Sequence, residues 1–189
     1  MYVEISKNAE LYYIALGDIW AAEKTCFGNP NVSVHLCTQA VEKIMKAFLR
    51  HSGESYDHGH SLNVLLEHVE DVSELPYSSV ENIALLSEYS QSLRYKNSKS
   101  DPTSADAKKA ITCTKEVLQS FSEIPSAMKY ISEAKEVHAK MLKVAEKEEF
   151  GQSPLPGTKA EYTKAIDKAV ADGKDNSEKP KRNMSRDER

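Results

Sequence analysis

At 189 residues the chain is long enough for one domain plus an appendage. With 29% charged and 40% hydrophobic residues it has the balance of an ordinary soluble protein. The net charge of −4 conceals an asymmetry: residues 151–189 carry nine Lys/Arg against seven Asp/Glu, and residues 1–150 carry 16 against 22. That excludes a broad basic surface of the kind that holds duplex DNA by counterion release. Cys26, Cys37 and Cys113 are few, odd in number and far apart, without a C-x-x-C pair. Neither a zinc knuckle nor a redox motif is supported, and a cytoplasmic location is expected. The start lacks a basic n-region, and no apolar run approaches the ~18 residues of a membrane span, so neither a signal peptide nor membrane association is expected.

Apolar spacing predicts helices throughout and no sheet. The first is expected from about Val3 to Thr25, carrying Leu11, Tyr12, Ile14, Ala15, Leu16, Ile19, Trp20 and Ala22. Gly28-Asn29-Pro30 ends it, and Asn31 or Ser33 is expected to cap the second, with the short connection favouring an antiparallel pair. The second helix stops near His51-Ser52-Gly53, and a polar loop follows to His60. Ser61 opens a short third helix reaching about Val69, with Leu62, Leu65, Leu66 and Val69 inward. Pro76 marks a break before a fourth helix, Tyr77 to Leu93, expected to place Val80, Ile83, Ala84, Leu86 and Tyr89 inward. After the mixed-charge loop from Arg94 to Pro102, Thr103 or Ser104 caps a fifth helix with a seam of Ala107, Ala110, Ile111, Val117, Leu118 and Phe121. Pro125 precedes a long, half-exposed sixth helix, Ser126 to about Glu149. Residues 151–157 read as a linker, Lys159 to Ala171 as a weak helix, and Asp172 to Arg189 as a disordered tail with a short basic arm. The expected organisation is a bundle over 1–124, a helical extension over 125–150 and a tail over 151–189.

The second helix organises the rest. Wound at 100° per residue, Leu36, Cys37, Ala40, Val41, Ile44, Met45, Ala47, Phe48 and Leu49 fill more than half its circumference. A helix that apolar belongs at the centre of a bundle. His35, Gln39, Glu42, Lys43, Lys46 and Arg50 form the one polar stripe. Two readings of the stripe stand side by side. Lys43, Lys46 and Arg50 offer donors to a phosphate, with Glu42 orienting them or accepting from a base or ribose. Alternatively it is a solvated face with Glu42–Lys46 as an i,i+4 pair worth about 0.2–0.5 kcal/mol. His60 is the candidate acid–base group, or else a structural residue bonding the third helix or the backbone. Arg94 and Tyr95 can hold a phosphate and stack a base, or anchor a loop with Arg94 paired to Glu42. His51, His58 and His60 lack a helical i,i+4 ligand partner, so no metal and no cofactor is expected.

Gly17-Asp18-Ile19-Trp20, then Gln39-Ala40-Val41-Glu42-Lys43-Ile44-Met45-Lys46-Ala47-Phe48-Leu49, then His60-Ser61-Leu62, then Arg94-Tyr95 occur in an order and spacing that resembles the HEPN superfamily (higher eukaryotes and prokaryotes nucleotide-binding). The resemblance covers roughly residues 5–122 and implies an all-α, up-and-down bundle of about five helices, often a homodimer. It implies a role with nucleotide or RNA. It also implies a nucleotidyltransferase-fold partner in a toxin–antitoxin or defence setting. Members that are metal-independent RNases carry an Arg with a His roughly four to six residues later. Here the histidines after Arg50 are His58 and His60, eight and ten positions on, and Ser98 to Asp101 after Arg94 include none. The departure favours a non-catalytic binding module. The alternatives are an RNase using Arg50 or Arg94 with His60 across a dimer, and a purely structural helical module associating through its sixth helix.

Overall fold

The computed structural model describes residues 4–54, 59–94 and 101–151, and of 92–94 and 146–151 the backbone alone. It is all-helical, with no strand among the described residues. In order come α1 (Glu10–Thr25), α2 (Pro30–Ser52), α3 (Leu62–Glu70), α4 (Tyr77–Arg94), α5 (Ser104–Glu123) and α6 (Pro125–Gly151). The chain divides into two units, residues 1–144 and 145–189; of the second, only the end of α6 is described. The expected linker, weak helix, basic tail and Tyr95 lie outside the described residues.

α2 is the hub. It packs against α1, α3, α4 and α5, and Val34, Cys37, Ala40, Val41, Ile44, Met45, Ala47, Phe48 and Leu49 along it are all buried. Phe48 meets Phe121 of α5 edge to face, with ring centroids 5.3 Å apart. The pairing of α1 with α2 is antiparallel: Ser33 Oγ donates to the Ala22 carbonyl, Lys43 reaches Asp18, and the Tyr12 hydroxyl meets His51. α4 and α5 also run antiparallel, with Asn82 donating to Glu116, Ser79 bonded to Ser120, and Tyr89 donating to Asp106.

Several boundaries differ from the sequence expectation for identifiable reasons. α1 begins at Glu10 rather than Val3. Glu133 of α6 takes both the amide and the hydroxyl of Ser6, at 2.6 and 2.7 Å, which holds the preceding segment out of the helix. The cap of α2 is Asn29, whose side chain accepts from the Val32 amide, rather than Asn31 or Ser33. Pro30 is the first helical residue, where its missing N–H costs nothing. Thr103 caps α5 in a capping box with Asp106. On α4, Ala84 is exposed, not inward. It lies about 100° round from Ile83, and the buried face is completed instead by Ser79, Leu86 and Ser87.

Candidate functional site

The polar stripe of α2 is built on a carboxylate the bundle has largely enclosed. Glu42 is only 6% exposed. Its Oε1 accepts from Lys46 Nζ at 2.8 Å, one turn along the helix, and bonds His60 Nδ1 at 2.9 Å across the loop that follows α2. Gln39 Nε2 approaches Oε2 at 3.5 Å, a long and weak bond. Burial pushes the Glu42 carboxyl up, but the bonds from Lys46 and His60 outweigh it and hold it below the usual 4.5. The carboxylate is therefore ionised at neutral pH.

Local sequence explains how His60 gets there. α2 ends at Gly53, whose φ of 82° is left-handed and favours glycine. The amides of Gly53 and Glu54 return to the carbonyls of Arg50 and Leu49, which turns the chain sharply off the helix. Residues 55–58, His58 among them, lie outside the described residues. His60 then meets α2 just before α3 begins, on a side chain 64% exposed. Ser61 stands at the N-cap of α3 without a side-chain capping bond.

With its Nδ1 facing an ionised carboxylate, His60 carries a proton there, and Nε2 points away from the pair. A neutral ring presents a lone pair at Nε2; a protonated one presents a donor. Lys46 is 14% exposed and has used one of its three donors. Arg50 lies one further turn along, and among the described residues its guanidinium has no hydrogen-bond or ion-pair partner. Together Lys46, Arg50 and Glu42 carry a net positive charge before His60 is counted.

The structure thus brings Gln39, Glu42, Lys46 and His60 together and leaves Arg50 adjacent. Lys43 goes elsewhere: it pairs with Asp18 of α1 at 2.7 Å, with both side chains about four-fifths buried. The backbone of Arg94 ends α4, its side chain is not described, and Tyr95 lies outside the described residues. Sequence reasoning did not identify a second polar contact, the buried Tyr12 hydroxyl against His51 Nε2 at 3.1 Å. Phe48 and Tyr130 flank that imidazole, with ring centroids 5.2 and 5.1 Å away. Burial pushes the Tyr12 hydroxyl up and the His51 imidazole down. Nothing in local spacing signals this pair, since its partners are 39 positions apart. Among the described residues no three His, Cys, Asp or Glu side chains gather to hold a metal ion, and no helix is long and apolar enough to cross a membrane.

Fold and cluster together define an all-α domain with an enclosed carboxylate–lysine–histidine group on its central helix. Among known families, the HEPN domain matches residues 9–124. The match takes in well over half of the chain, which belongs to the HEPN family. No curated protein and no solved structure matches it. Membership supports a nucleotide- or RNA-related module in general.

Proposed function

We propose that the chain is a binding module for the phosphate of a nucleotide or of single-stranded RNA, held by Lys46, Arg50 and His60 with Glu42 as their organiser. The observation that carries this reading is the enclosed Glu42. An anion on a central helix is costly to bury. Here it fixes Lys46 and turns the Nε2 edge of His60 outward, with the Arg50 guanidinium one helical turn beyond Lys46. Arg50 supplies a bidentate fork suited to phosphate, Lys46 supplies further donors, and His60 presents its outward Nε2 edge. Gln39 borders the site, and Arg94 and Tyr95 belong to the proposal as a phosphate contact and a stacking platform. Lys43, engaged with Asp18, contributes to the scaffold rather than to the ligand.

Calorimetric titration with ATP, GTP and short single-stranded RNA tests the proposal. The expected result is binding that weakens about tenfold in Arg50→Ala and falls with salt as few-contact phosphate binding does. No heat from any of these ligands would end it.

A second reading has its own observation. An imidazole whose Nδ1 is held by a carboxylate, with Nε2 outward, is oriented for acid–base chemistry. It supports an RNase in which His60 works with Arg50 or Arg94 across a dimer, despite the departure from the family's Arg–His spacing. Structured RNA incubated with wild type and with His60→Ala separates the readings: equal background cleavage leaves the binding module. A nucleotidyltransferase-fold partner and a toxin–antitoxin or defence setting rest on family analogy alone.

A further inference from the structure

α6 begins just beyond the residues that match the HEPN family, and it is joined to them through a single extended residue. Ile124, with φ −74° and ψ 120°, interrupts the helical run between α5 and α6. Pro125 accounts for this, since the residue before a proline is pushed out of the helical region. Such a joint lets the two helices change their angle without unwinding either one.

The seam beneath α6 is light. Its buried residues are Ala127, Ile131, Ala134 and Val137, and the two alanines each contribute only a methyl group. Around them, three specific contacts tie α6 to the bundle. Glu133 takes the amide and the hydroxyl of Ser6. Tyr130 packs on His51 of α2 with ring centroids 5.1 Å apart, and His138 meets Tyr13 of α1 edge to face at 6.0 Å. Two of the three ties therefore run through an imidazole.

Neither imidazole is placed to carry a charge. His51 faces the Tyr12 hydroxyl from α1, the Phe48 ring on its own helix and the Tyr130 ring from α6. Lys129 Nζ already lies over that Tyr130 ring, 5.8 Å from its centroid. Tyr12 is fully buried, and among the described residues its hydroxyl has no other hydrogen-bond partner. The neutral imidazole therefore accepts the phenolic proton at Nε2. A protonated ring cannot accept it, which strands that proton in the core. His138 faces the Tyr13 ring, with Lys135 one turn before it on α6. Burial holds both imidazoles below the ordinary 6.5, with no carboxylate acting on either to offset it. Closure is therefore favoured above that pH and weakened as pH falls through the folded values.

We propose that α6 is an acid-released strap: protonation of His51 and His138 lifts residues 125–144 off the bundle about the Ile124 joint while α1 to α5 stay folded. The switch belongs to the added helix and is independent of any ligand at Glu42.

Hydrogen exchange of the full chain at pH 7.5 and 5.5, corrected for the pH dependence of exchange in an unstructured chain, tests this. Two imidazoles with an ordinary value near 6.5 allow at most about a hundredfold rise in opening over that interval. The expected result is a loss of about tenfold in protection over residues 127–137, with α2 and α5 unchanged. His51→Gln and His138→Gln each reduce the response to about threefold, and the double variant abolishes it. Glu133→Gln, which weakens the Ser6 tie, speeds exchange of α6 at both pH values and leaves the tenfold ratio in place, as a merely structural contact should. Protection of α6 that does not change with pH overturns the proposal. So does loss of protection in α2 and α5 in step with α6, or a double variant that keeps the full response.

Discussion

The enclosed carboxylate offers the sharpest test of the site. Glu42→Gln keeps the side chain's shape and one oxygen acceptor and removes only the charge. Both donors share Oε1, whose place the amide oxygen can take, so what they lose is the countercharge, and they lose it unequally. His60 is 64% exposed and is hydrated without it, whereas the Lys46 side chain is 14% exposed and is left as a largely enclosed cation. Breaking a fully buried pair costs about 3–5 kcal/mol and an exposed one about 0–1. Lys46 sits between these limits and can slide its ammonium outward, so about 1–2 kcal/mol is expected. For a protein of this size that is roughly 2–8 °C in melting temperature, read by circular dichroism at pH 7. The pH dependence fixes the cause. Because the folded carboxyl is held below the usual 4.5, its contribution is present above that value and fades as pH falls through the folded one. The gap between wild type and Glu42→Gln should therefore narrow on acidification below the usual carboxylate range. Lys46→Met should cost more stability than His60→Ala, which should cost under about 0.5 kcal/mol. An unchanged melting temperature at pH 7, or a gap that persists undiminished in acid, would refute the assignment of Glu42 as an ionised, bridged carboxylate.

Three further outcomes follow from the geometry around it. Gly53→Ala puts a Cβ on a left-handed residue and should destabilise by about 1 kcal/mol in denaturant titration; Gly53→Asn, which tolerates that conformation better, should lose less. Burial of His51 lowers its affinity for protons below the ordinary value near 6.5, so the folded state is favoured above that pH and loses the contribution as pH falls through the folded value. Denaturant midpoints should therefore drop between pH 7 and 5, less so in His51→Gln. Some slope should remain because burial also holds His138 down in the same window; an unchanged slope would count against His51. Finally, Lys43 and Arg50 should separate stability from binding. Lys43→Met breaks the 2.7 Å bridge to Asp18 and should cost about 0.5–1 kcal/mol with ligand affinity intact. Arg50→Ala should leave the melt within about 0.5 kcal/mol of wild type and weaken calorimetric binding. The reverse pattern would move the site from the Glu42 side of the stripe to the Asp18 side.

The number, order and approximate span of the helices follow from local patterning, and the patterning worked because burial is periodic. α2 is apolar over most of its circumference, and no arrangement other than a hub can hide that surface. The boundaries that shifted did so where a distant residue intervened or where one residue could serve two roles. No feature near Ser6 announces Glu133, which lies 127 positions away. Pro30 was legible both as the end of the first helix and as the first residue of the next, and its fixed φ and missing N–H suit the second role better. That choice makes Asn29, not a later residue, the cap.

The site was legible as a stripe but not as a set of pairs, and the physical reason lies in the helix itself. Lys43 and Lys46 have the same side chain and sit three positions apart, so spacing alone gives them one role. Three positions on a helix leave a residual rotation of about 60°, enough here for Lys43 to meet Asp18 across the α1 seam while Lys46 stays over Glu42. Which lysine is spent on scaffold and which borders the ligand is decided by the neighbouring helix, and that neighbour is fixed only once the bundle closes. The same closure turns Glu42 from one member of a solvated i,i+4 pair into an enclosed anion, because His60 comes back over it from beyond Gly53. An exposed pair of this kind contributes a few tenths of a kcal/mol; an enclosed one costs desolvation and has to be compensated by well-placed donors. Glu42 has two such donors on one oxygen and a weak third contact on the other. A chain that needed only a stable core at this position would do as well with an apolar residue, and it is this excess of organised charge on a central helix that argues for a ligand.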